Sequence, residues 1–512
     1  MKLISMLSHP GLPAASSGPR VVGGERTYTR AEALAAVAHM ADSLREQGLR
    51  PGHRVLALVD HDERGLFFLA AASAIGLRLL MPYNLQAAAL PEWLNLVASA
   101  RPDFVVDAKR DGACGQALRQ AGARVAGFEF LDESLAALPD RRPVTIDAPD
   151  PVENFLVLFT SGTTGRPKAI SLSESLVCRR IASVTRWLDF RADARIFMSG
   201  LLNNTTGVIF SFGALLHDAT LVFPTSRNVE DWPAQVARSR ATHLMLRPVA
   251  LKRFVAALEV APVDLGALRT IAYGAAAMPR ALLERARALM PCNWVQGYGL
   301  SETFGPFCWL DEAGHRDGLH RRHVYCVGRP DETLEVAIDP AGAIDGVGEV
   351  LLRGSAVMEG YCDVHTGVVS PPGEWLRTGD LGQITPQGEL VLKGRIDNTV
   401  MSENGHRIYP EEVEAALSGI PGVADAVLLG IAGQGHAALV TRPVACISGE
   451  LAASEPGHIR DVVASALSKS LSREKWPGWI FASVAPFPKS GNDKVMKAEV
   501  ARLVDAGGLI DV

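Results

Sequence analysis

The chain has 512 residues, 48% hydrophobic and 21% charged, with 51 basic against 56 acidic side chains for a formal charge of −5. That length exceeds one ordinary compact core and implies two to four domains or subdomains, and the apolar share excludes a disordered chain. So even a charge balance offers no broad basic field for nucleic acid or anionic lipid, and neither is expected as a main partner.

Near the N-terminus Lys2 is followed by His9, Pro10 and Pro13 with no long apolar stretch, which argues against a secretory signal. "TYTRAEALAAVAHMADSLREQGLRPGHRVLALV" (27–59) predicts a helix. Thr29 and Glu32 form its capping box, Leu34, Val37, Ala38, Ala41 and Leu44 recur at helical spacing, and Gly48 stops it. "RVLALV" then reads as a strand covered on both faces. "GLFFLAAASAIG" (65–76) is far short of the ~20 residues that cross a bilayer, so a buried helix and no membrane association is the expectation. Short apolar runs at 101–108, 219–224, 241–248 and 269–274, with helical stretches such as 280–290 between them, predict α/β layers.

Around 330 the texture changes to short alternating strands, "LEVAID", "GEVLLRG" and "GELVLKGR", the pattern of a small barrel or antiparallel sheet. "EEVEAALSGIPGVADAVLLGI" (411–431) returns to helix and strand. The expected fold is therefore α/β, a large N-terminal domain of α/β layers (1–395) with a small β-barrel-like subdomain, followed by a small α+β C-terminal domain (396–512). Cys114, Cys178, Cys292, Cys308, Cys326, Cys362 and Cys446 contain no C-x-x-C pair, which argues for a reducing compartment and a cytoplasmic location.

"FTSGTTGRPKAI" (159–170) follows an apolar strand-like run with a cluster of hydroxyls and glycines, then Lys168. Backbone N–H groups and hydroxyls in such a loop can converge on an anion, although a Ser/Thr/Gly cluster alone is more often just a turn, and the G-x-x-x-x-G-K-[ST] pattern is absent. Later segments decide the reading. "QGYGLSETFG" (296–305) carries Gly297, Tyr298, Gly299, Ser301 and Glu302; "WLRTGDLG" (375–382) carries Asp380; "LKGRIDN" (392–398) carries Arg395 and Asp397; "PKSGNDKVMK" (488–497) carries Lys494.

In this order and spacing the segments resemble the adenylate-forming superfamily of acyl-CoA synthetases, peptide-synthetase adenylation domains and luciferases, over nearly the whole chain. The resemblance implies a ligase that joins a carboxylic acid to ATP as acyl-AMP, with loss of pyrophosphate, and passes the acyl group to a thiol. It implies ATP, Mg²⁺ and coenzyme A, with Thr160, Ser161, Gly162, Thr163, Thr164, Gly165 and Lys168 around the β- and γ-phosphates and Glu302 on the Mg²⁺. Ser301 is then directed at the α-phosphate, Tyr298 stacks on adenine between Gly297 and Gly299, Asp380 binds the ribose hydroxyls, and Arg395 lies near ribose or phosphate. Lys494 matches the mobile lysine of the adenylation step. Asp397 matches the hinge of a mobile C-terminal domain, and Gly405, His406 and Arg407 lie in the segment that meets the pantetheine thiol.

Three departures from the family pattern stand out: Ala169 in place of Gly, Asn203 and Asn204 in place of an aromatic and a His, and Asp493 in place of the Gly before Lys494. All fall on the ATP-consuming step and raise two alternatives: a ligase impaired in adenylation that takes acyl-AMP from a separate adenylating enzyme, and a non-catalytic acyl-adenylate-binding protein. No acid stands early in 207–224, where amino-acid-activating relatives carry one, and Asp218 lies too late. A non-amino acid, aryl, fatty or bulky polycyclic, is therefore expected, in a pocket with Asn203, Asn204, Gly207, Gly274, Ala275 and Ala276, although the run 203–206 is equally a surface turn. With no carrier domain after Val512, a free-standing CoA ligase leads and a carrier-protein ligase is the alternative. The cluster His315, His320 and His323 fits no zinc spacing and is expected in a solvated loop or at CoA phosphates.

Overall fold

The computed structural model describes residues 1–7, 19–24, 26–82, 90–107, 113–126, 150–160, 168–317, 325–401, 407–432, 441–469, 471–489 and 495–512. The expected capping box forms: the Thr29 hydroxyl accepts from the Glu32 backbone N–H while the Glu32 carboxylate accepts from Thr29, and the helix Arg30–Glu46 follows. Asp62 caps the next helix, Glu63–Ile75, in which every residue from Arg64 onward is buried, and Gly76 ends it at φ 88°. A helix apolar on all sides is stable in water only inside a core, which is where the expected buried helix lies.

Two large sheets flank that core. One has nine strands, with a parallel run through Thr220–Val222, Arg195–Phe197, His243–Leu246, Thr270–Gly274 and Asn293–Leu300. The other has eight, with Phe104–Asp107, Arg54–Leu58, Arg78–Met81 and Leu156–Thr160 parallel and Lys168–Leu172 returning antiparallel. Helices Arg30–Glu46, Glu63–Ile75, Glu174–Trp187 and Thr205–Leu216 contribute to one continuous apolar core with residues of both sheets. The expected texture change near 330 is a four-stranded antiparallel half-barrel of Leu334–Ile338, Gly348–Gly354, Leu376–Ile384 and Leu390–Arg395. The fold is thus a large N-terminal α/β domain with a half-barrel and a small C-terminal domain.

In the C-terminal domain the strands Asp425–Ala432, Thr441–Ser448, Trp479–Ser483 and Ile510–Asp511 form one sheet. Among the described residues its two cores draw only on Val400 and later ones. The domains meet where Tyr409 packs against Val347 and Leu381. There the Tyr325 hydroxyl donates to the Glu411 carbonyl, and Lys393 Nζ lies 3.1 Å from Glu412 Oε1.

Candidate active site

The strand Asn293–Leu300 reaches its end through two close approaches. A Cβ at Gly297 would stand 2.8 Å from Pro306 Cβ, and one at Gly299 would stand 2.2 Å from the Gly305 carbonyl. Tyr298, between them, turns its ring edge to Phe307, 5.2 Å between centroids, and its hydroxyl donates to Asp380 Oδ2 at 2.6 Å. Asp380 sits opposite Arg395 in the half-barrel, and Arg395 Nη1 donates to Asp380 Oδ1 at 2.9 Å and to the Thr378 carbonyl. Gly379, at φ 72°, gives the guanidinium room: a Cβ there would meet Arg395 Nη2 at 2.8 Å. Burial raises the Asp380 carboxyl above its ordinary value, partly offset by Tyr298 and Arg395; burial followed by the Asp380 charge pushes the Tyr298 phenol up.

This cluster fits a nucleoside. An ionised carboxylate offers about four acceptor positions, and Tyr298 and Arg395 use two, leaving the rest for a ribose diol. Arg395 Nε is buried with no hydrogen-bond partner among the described residues, a donor a nucleotide oxygen would satisfy.

Directly after the strand, the 3₁₀ turn Ser301–Thr303 presents Ser301 and Glu302, and Phe304 at φ 44° with Gly305 at φ 107° reverses the chain. The turn is fastened from below. Thr303 Oγ1 donates to the Gly305 carbonyl at 2.8 Å, and buried Arg180 donates from Nε to the Thr303 carbonyl at 3.1 Å, from Nη2 to the Pro306 carbonyl and from Nη1 to Thr333 Oγ1. Arg180 also pairs with fully buried Asp331 at 3.5 Å. From above, Met358 N donates to the Glu302 carbonyl at 2.8 Å, and the Tyr361 hydroxyl donates to Glu302 Oε1 at 3.3 Å. Lys168 Nζ lies 5.3 Å from the centroid of the same Tyr361 ring. Burial and then Glu302 push the Tyr361 phenol up to about 12, so it stays a donor at neutral pH.

Among the described residues no group of three or more His, Cys, Asp or Glu gathers at a metal position. Glu302, linked through Tyr361 to Lys168, fits a Mg²⁺ held mainly by substrate phosphates and one protein oxygen rather than a dedicated metal cage.

Thr160 and Lys168 pair across an antiparallel ladder, at the two ends of 161–167. Ser161, Gly162, Thr163, Thr164 and Gly165 lie outside the described residues, as do Gly405, His406, Asp493 and Lys494. Ala169 pairs with Phe159 inside the strand, is 7% exposed, and is not among the residues of positive φ. Its Cβ therefore carries no backbone strain. Ala169→Gly is expected to leave ATP affinity within twofold while lowering stability by about 0.5–1 kcal/mol, as glycine does within strands; calorimetric binding and denaturant unfolding read the two effects.

Asn204 caps the helix Thr205–Leu216, its Oδ1 accepting from Gly207 N at 3.1 Å, and Asn203 Nδ2 donates to the Pro82 carbonyl at 2.9 Å. A Cβ at Gly207 would stand 2.0 Å from the Leu201 carbonyl, and one at Gly274 would stand 2.2 Å from the Gly297 carbonyl, so both glycines serve close backbone packing. Ala275 and Ala276 are exposed beyond the strand end, and Ala275 holds φ 64°, a left-handed conformation costing a non-glycine residue roughly 1–2 kcal/mol. Asp397 lies in the 3₁₀ turn Ile396–Asn398, and Arg407 pairs with Met401.

His315 differs from its expected place in a solvated loop. It is 2% exposed in the helix Glu312–Arg316, with Nε2 2.9 Å from the Tyr273 hydroxyl. His320 and His323 lie outside the described residues.

A family model described as AMP-binding enzyme matches residues 7–362. The chain belongs to the AMP-binding enzyme family. This AMP-binding enzyme is 27% identical over 521 aligned residues to an indoleacetate–CoA ligase of Aromatoleum aromaticum, covering 97% of this chain and 96% of the relative. It is 29% identical over 438 residues to the fatty acid–[acyl-carrier-protein] ligase ScoC of Streptomyces coeruleorubidus, covering 80% of each. It shares its fold with the anthranilate CoA ligase AuaEII solved with anthranoyl-AMP, at TM-score 0.83 and 20% identity, covering 99% of this chain and 98% of that one.

Two residues of the site escaped sequence reasoning. Arg180 stands on the apolar stripe Leu176, Val177, Ile181 and Val184 of its helix, and an arginine in such a stripe marks a buried partner. Tyr361 follows Gly360, which holds φ 155° and where an added Cβ would stand 2.2 Å from the Ser370 carbonyl, in the strand beside Lys168–Leu172; no local signal ties Tyr361 to Glu302.

Proposed function

We propose that this AMP-binding enzyme is an acid–CoA ligase that activates a non-amino-acid carboxylic acid as acyl-AMP and transfers the acyl group to the thiol of coenzyme A. In the first step a carboxylate oxygen attacks the α-phosphorus of ATP, forming the mixed anhydride and releasing pyrophosphate. In the second the thiol, losing its proton, attacks the acyl carbon and AMP leaves. The observation that carries this reading is the run Tyr298 to Glu302. It brings a carboxylate-based ribose cradle (Asp380 with Arg395) within four residues of Glu302, which reaches Lys168 through Tyr361.

Asp380 fixes the ribose, Arg395 Nε and Ser301 reach nucleotide oxygens, and Lys168 neutralises the terminal phosphates as a point charge. Glu302 would hold a Mg²⁺, which when bound would supply charge neutralisation on the phosphates. The residues after Arg395 form a mobile domain turning at Asp397, which brings Lys494 to the carboxylate and α-phosphate in the first step and Gly405, His406 and Arg407 to the thiol in the second.

The acid class rests on the lack of an acid early in 207–224; the later Asp218 is engaged elsewhere. It is 4% exposed, with Arg20 Nε 2.9 Å and Arg30 Nη1 3.5 Å from its Oδ1, and so is committed to arginines rather than an α-amine. The names of similar proteins agree, among them indoleacetate–CoA ligase and feruloyl-CoA synthase, whose acids lack that amine. The extended backbone of Ala169 removes one ground for impaired adenylation. A carrier-protein acceptor is the second reading, favoured by the likeness to the carrier-protein ligase.

The test is incubation with ATP, Mg²⁺, CoA and panels of aryl, fatty and amino acids, followed by mass detection of acyl-CoA and AMP. Acyl-CoA from aryl or fatty acids is expected. Thioesters of amino acids alone contradict the acid class, and no acid-dependent AMP formation with any acid contradicts the ligase reading.

A further inference from the structure

We propose that Tyr361 is a positioning residue that couples the magnesium-binding carboxylate of Glu302 to the phosphate-binding lysine Lys168. The inference rests on the ligase reading only in taking Glu302 and Lys168 as the groups that meet Mg²⁺ and the terminal phosphates of ATP.

Three observations carry it. The Tyr361 hydroxyl donates to Glu302 Oε1 at 3.3 Å, and Met358, three residues earlier, donates its backbone N–H to the Glu302 carbonyl at 2.8 Å. One short segment thus grips both ends of Glu302, which stands in the three-residue 3₁₀ turn Ser301–Thr303. The same aromatic ring lies 5.3 Å from Lys168 Nζ, within cation–π range. Finally, the segment itself is held firmly. Gly360 and Tyr361 pair with Ser171 and Ile170 of the lysine's own strand, and the Glu359 carboxylate accepts from Ser173 N at 2.6 Å.

The chemistry follows from what each half of the ring system does. A hydroxyl donating to Oε1 restricts rotation of the carboxylate and leaves Oε2 as the oxygen directed at the cation, which is how hydrogen bonds to a metal ligand tune affinity. The ring face attracts the ammonium and limits the rotamers of a long, entropically costly side chain. Because AMP lacks the β- and γ-phosphates, its binding should not depend on Tyr361.

Calorimetric titration of the full chain with ATP across a Mg²⁺ series, with AMP as control, separates these contributions. For Tyr361→Phe the half-saturating Mg²⁺ concentration for ATP binding rises roughly tenfold, the usual scale for loss of a hydrogen bond to a metal ligand. ATP binding in EDTA stays unchanged, because the ring remains. For Tyr361→Leu the Mg²⁺ requirement rises likewise, and ATP binding in EDTA also weakens about two- to fivefold through loss of the cation–π contact. AMP affinity is unaltered in both.

A wild-type Mg²⁺ requirement in Tyr361→Phe overturns the inference. So does a parallel loss of AMP and ATP binding, which marks a merely structural role, and so does ATP binding by the wild-type protein without any Mg²⁺ dependence. Wild-type protein that binds ATP in a Mg²⁺-dependent way, with the predicted variant pattern, yet exchanges pyrophosphate with no acid, supports the Tyr361 assignment and strikes only the ligase reading.

Discussion

Asp380→Ala is expected to lower both AMP affinity and kcat/KM by roughly 10³-fold, the product of two lost hydrogen bonds to a charged acceptor at about 1.5–3 kcal/mol each. The effect extends beyond the ribose. Asp380 is 8% exposed and is the acceptor for the Tyr298 hydroxyl and one Arg395 nitrogen, so its removal leaves a phenol and a guanidinium without their partner beside an Arg395 Nε that already has none among the described residues. Asp380→Asn keeps the shape and one acceptor oxygen and should retain part of the binding, with a loss nearer tenfold. Calorimetry with AMP and steady-state kinetics measure both variants. Loss of less than threefold in the alanine variant places the nucleoside elsewhere.

Arg180→Leu is expected to cost about 3–5 kcal/mol of folding stability, the range for removing one partner of a buried ion pair. Arg180 is 1% exposed, and its Asp331 partner has a fully buried side chain. The leucine strands that carboxylate and takes donors from the Thr303 and Pro306 carbonyls that bracket the Phe304 reversal. Asp331 keeps hydrogen bonds from Thr333 N at 3.0 Å and Trp309 Nε1 at 3.3 Å, so it is not wholly without support. The double variant Arg180→Leu with Asp331→Asn removes the stranded charge and should recover part of the loss. Denaturant unfolding of the two variants reads the difference; equal stability of single variant and wild type contradicts a load on this pair.

The legible parts of the fold were those written locally. The Thr29 and Glu32 capping box, the apolar run that became Glu63–Ile75, and the alternating strands after 330 each depend on residues a few positions apart, and each formed as expected. The Tyr298–Asp380–Arg395 cluster was legible differently: the three residues carried a family resemblance, and the structure brings them into one hydrogen-bonded cluster.

What local sequence does not encode is which distant chain covers a residue. Arg180 meets Thr303, Pro306 and Asp331 across more than a hundred positions, and Tyr361 meets Glu302 across 59. His315 sits in a stretch rich in Arg and His that reads as solvated, yet its partner is Tyr273, on a strand 42 residues earlier. Asn204 and Gly207 show the converse: residues expected to face a ligand are engaged in capping and packing the start of a helix, because an unsatisfied helix N-terminus claims the nearest side-chain oxygen.

The formation of an acyl-adenylate is tested most directly by isotope transfer. A carboxylic acid that supports thioester formation is supplied with oxygen-18 in both carboxyl positions, and the products are weighed by mass spectrometry. Attack of the carboxylate on the α-phosphorus puts its oxygen between acyl and phosphate, and thiol attack at the acyl carbon leaves that oxygen on the nucleotide. AMP bearing a single oxygen-18, with unlabelled pyrophosphate, is the predicted result. Unlabelled AMP, or label recovered in inorganic phosphate as an acyl phosphate route would give, contradicts it.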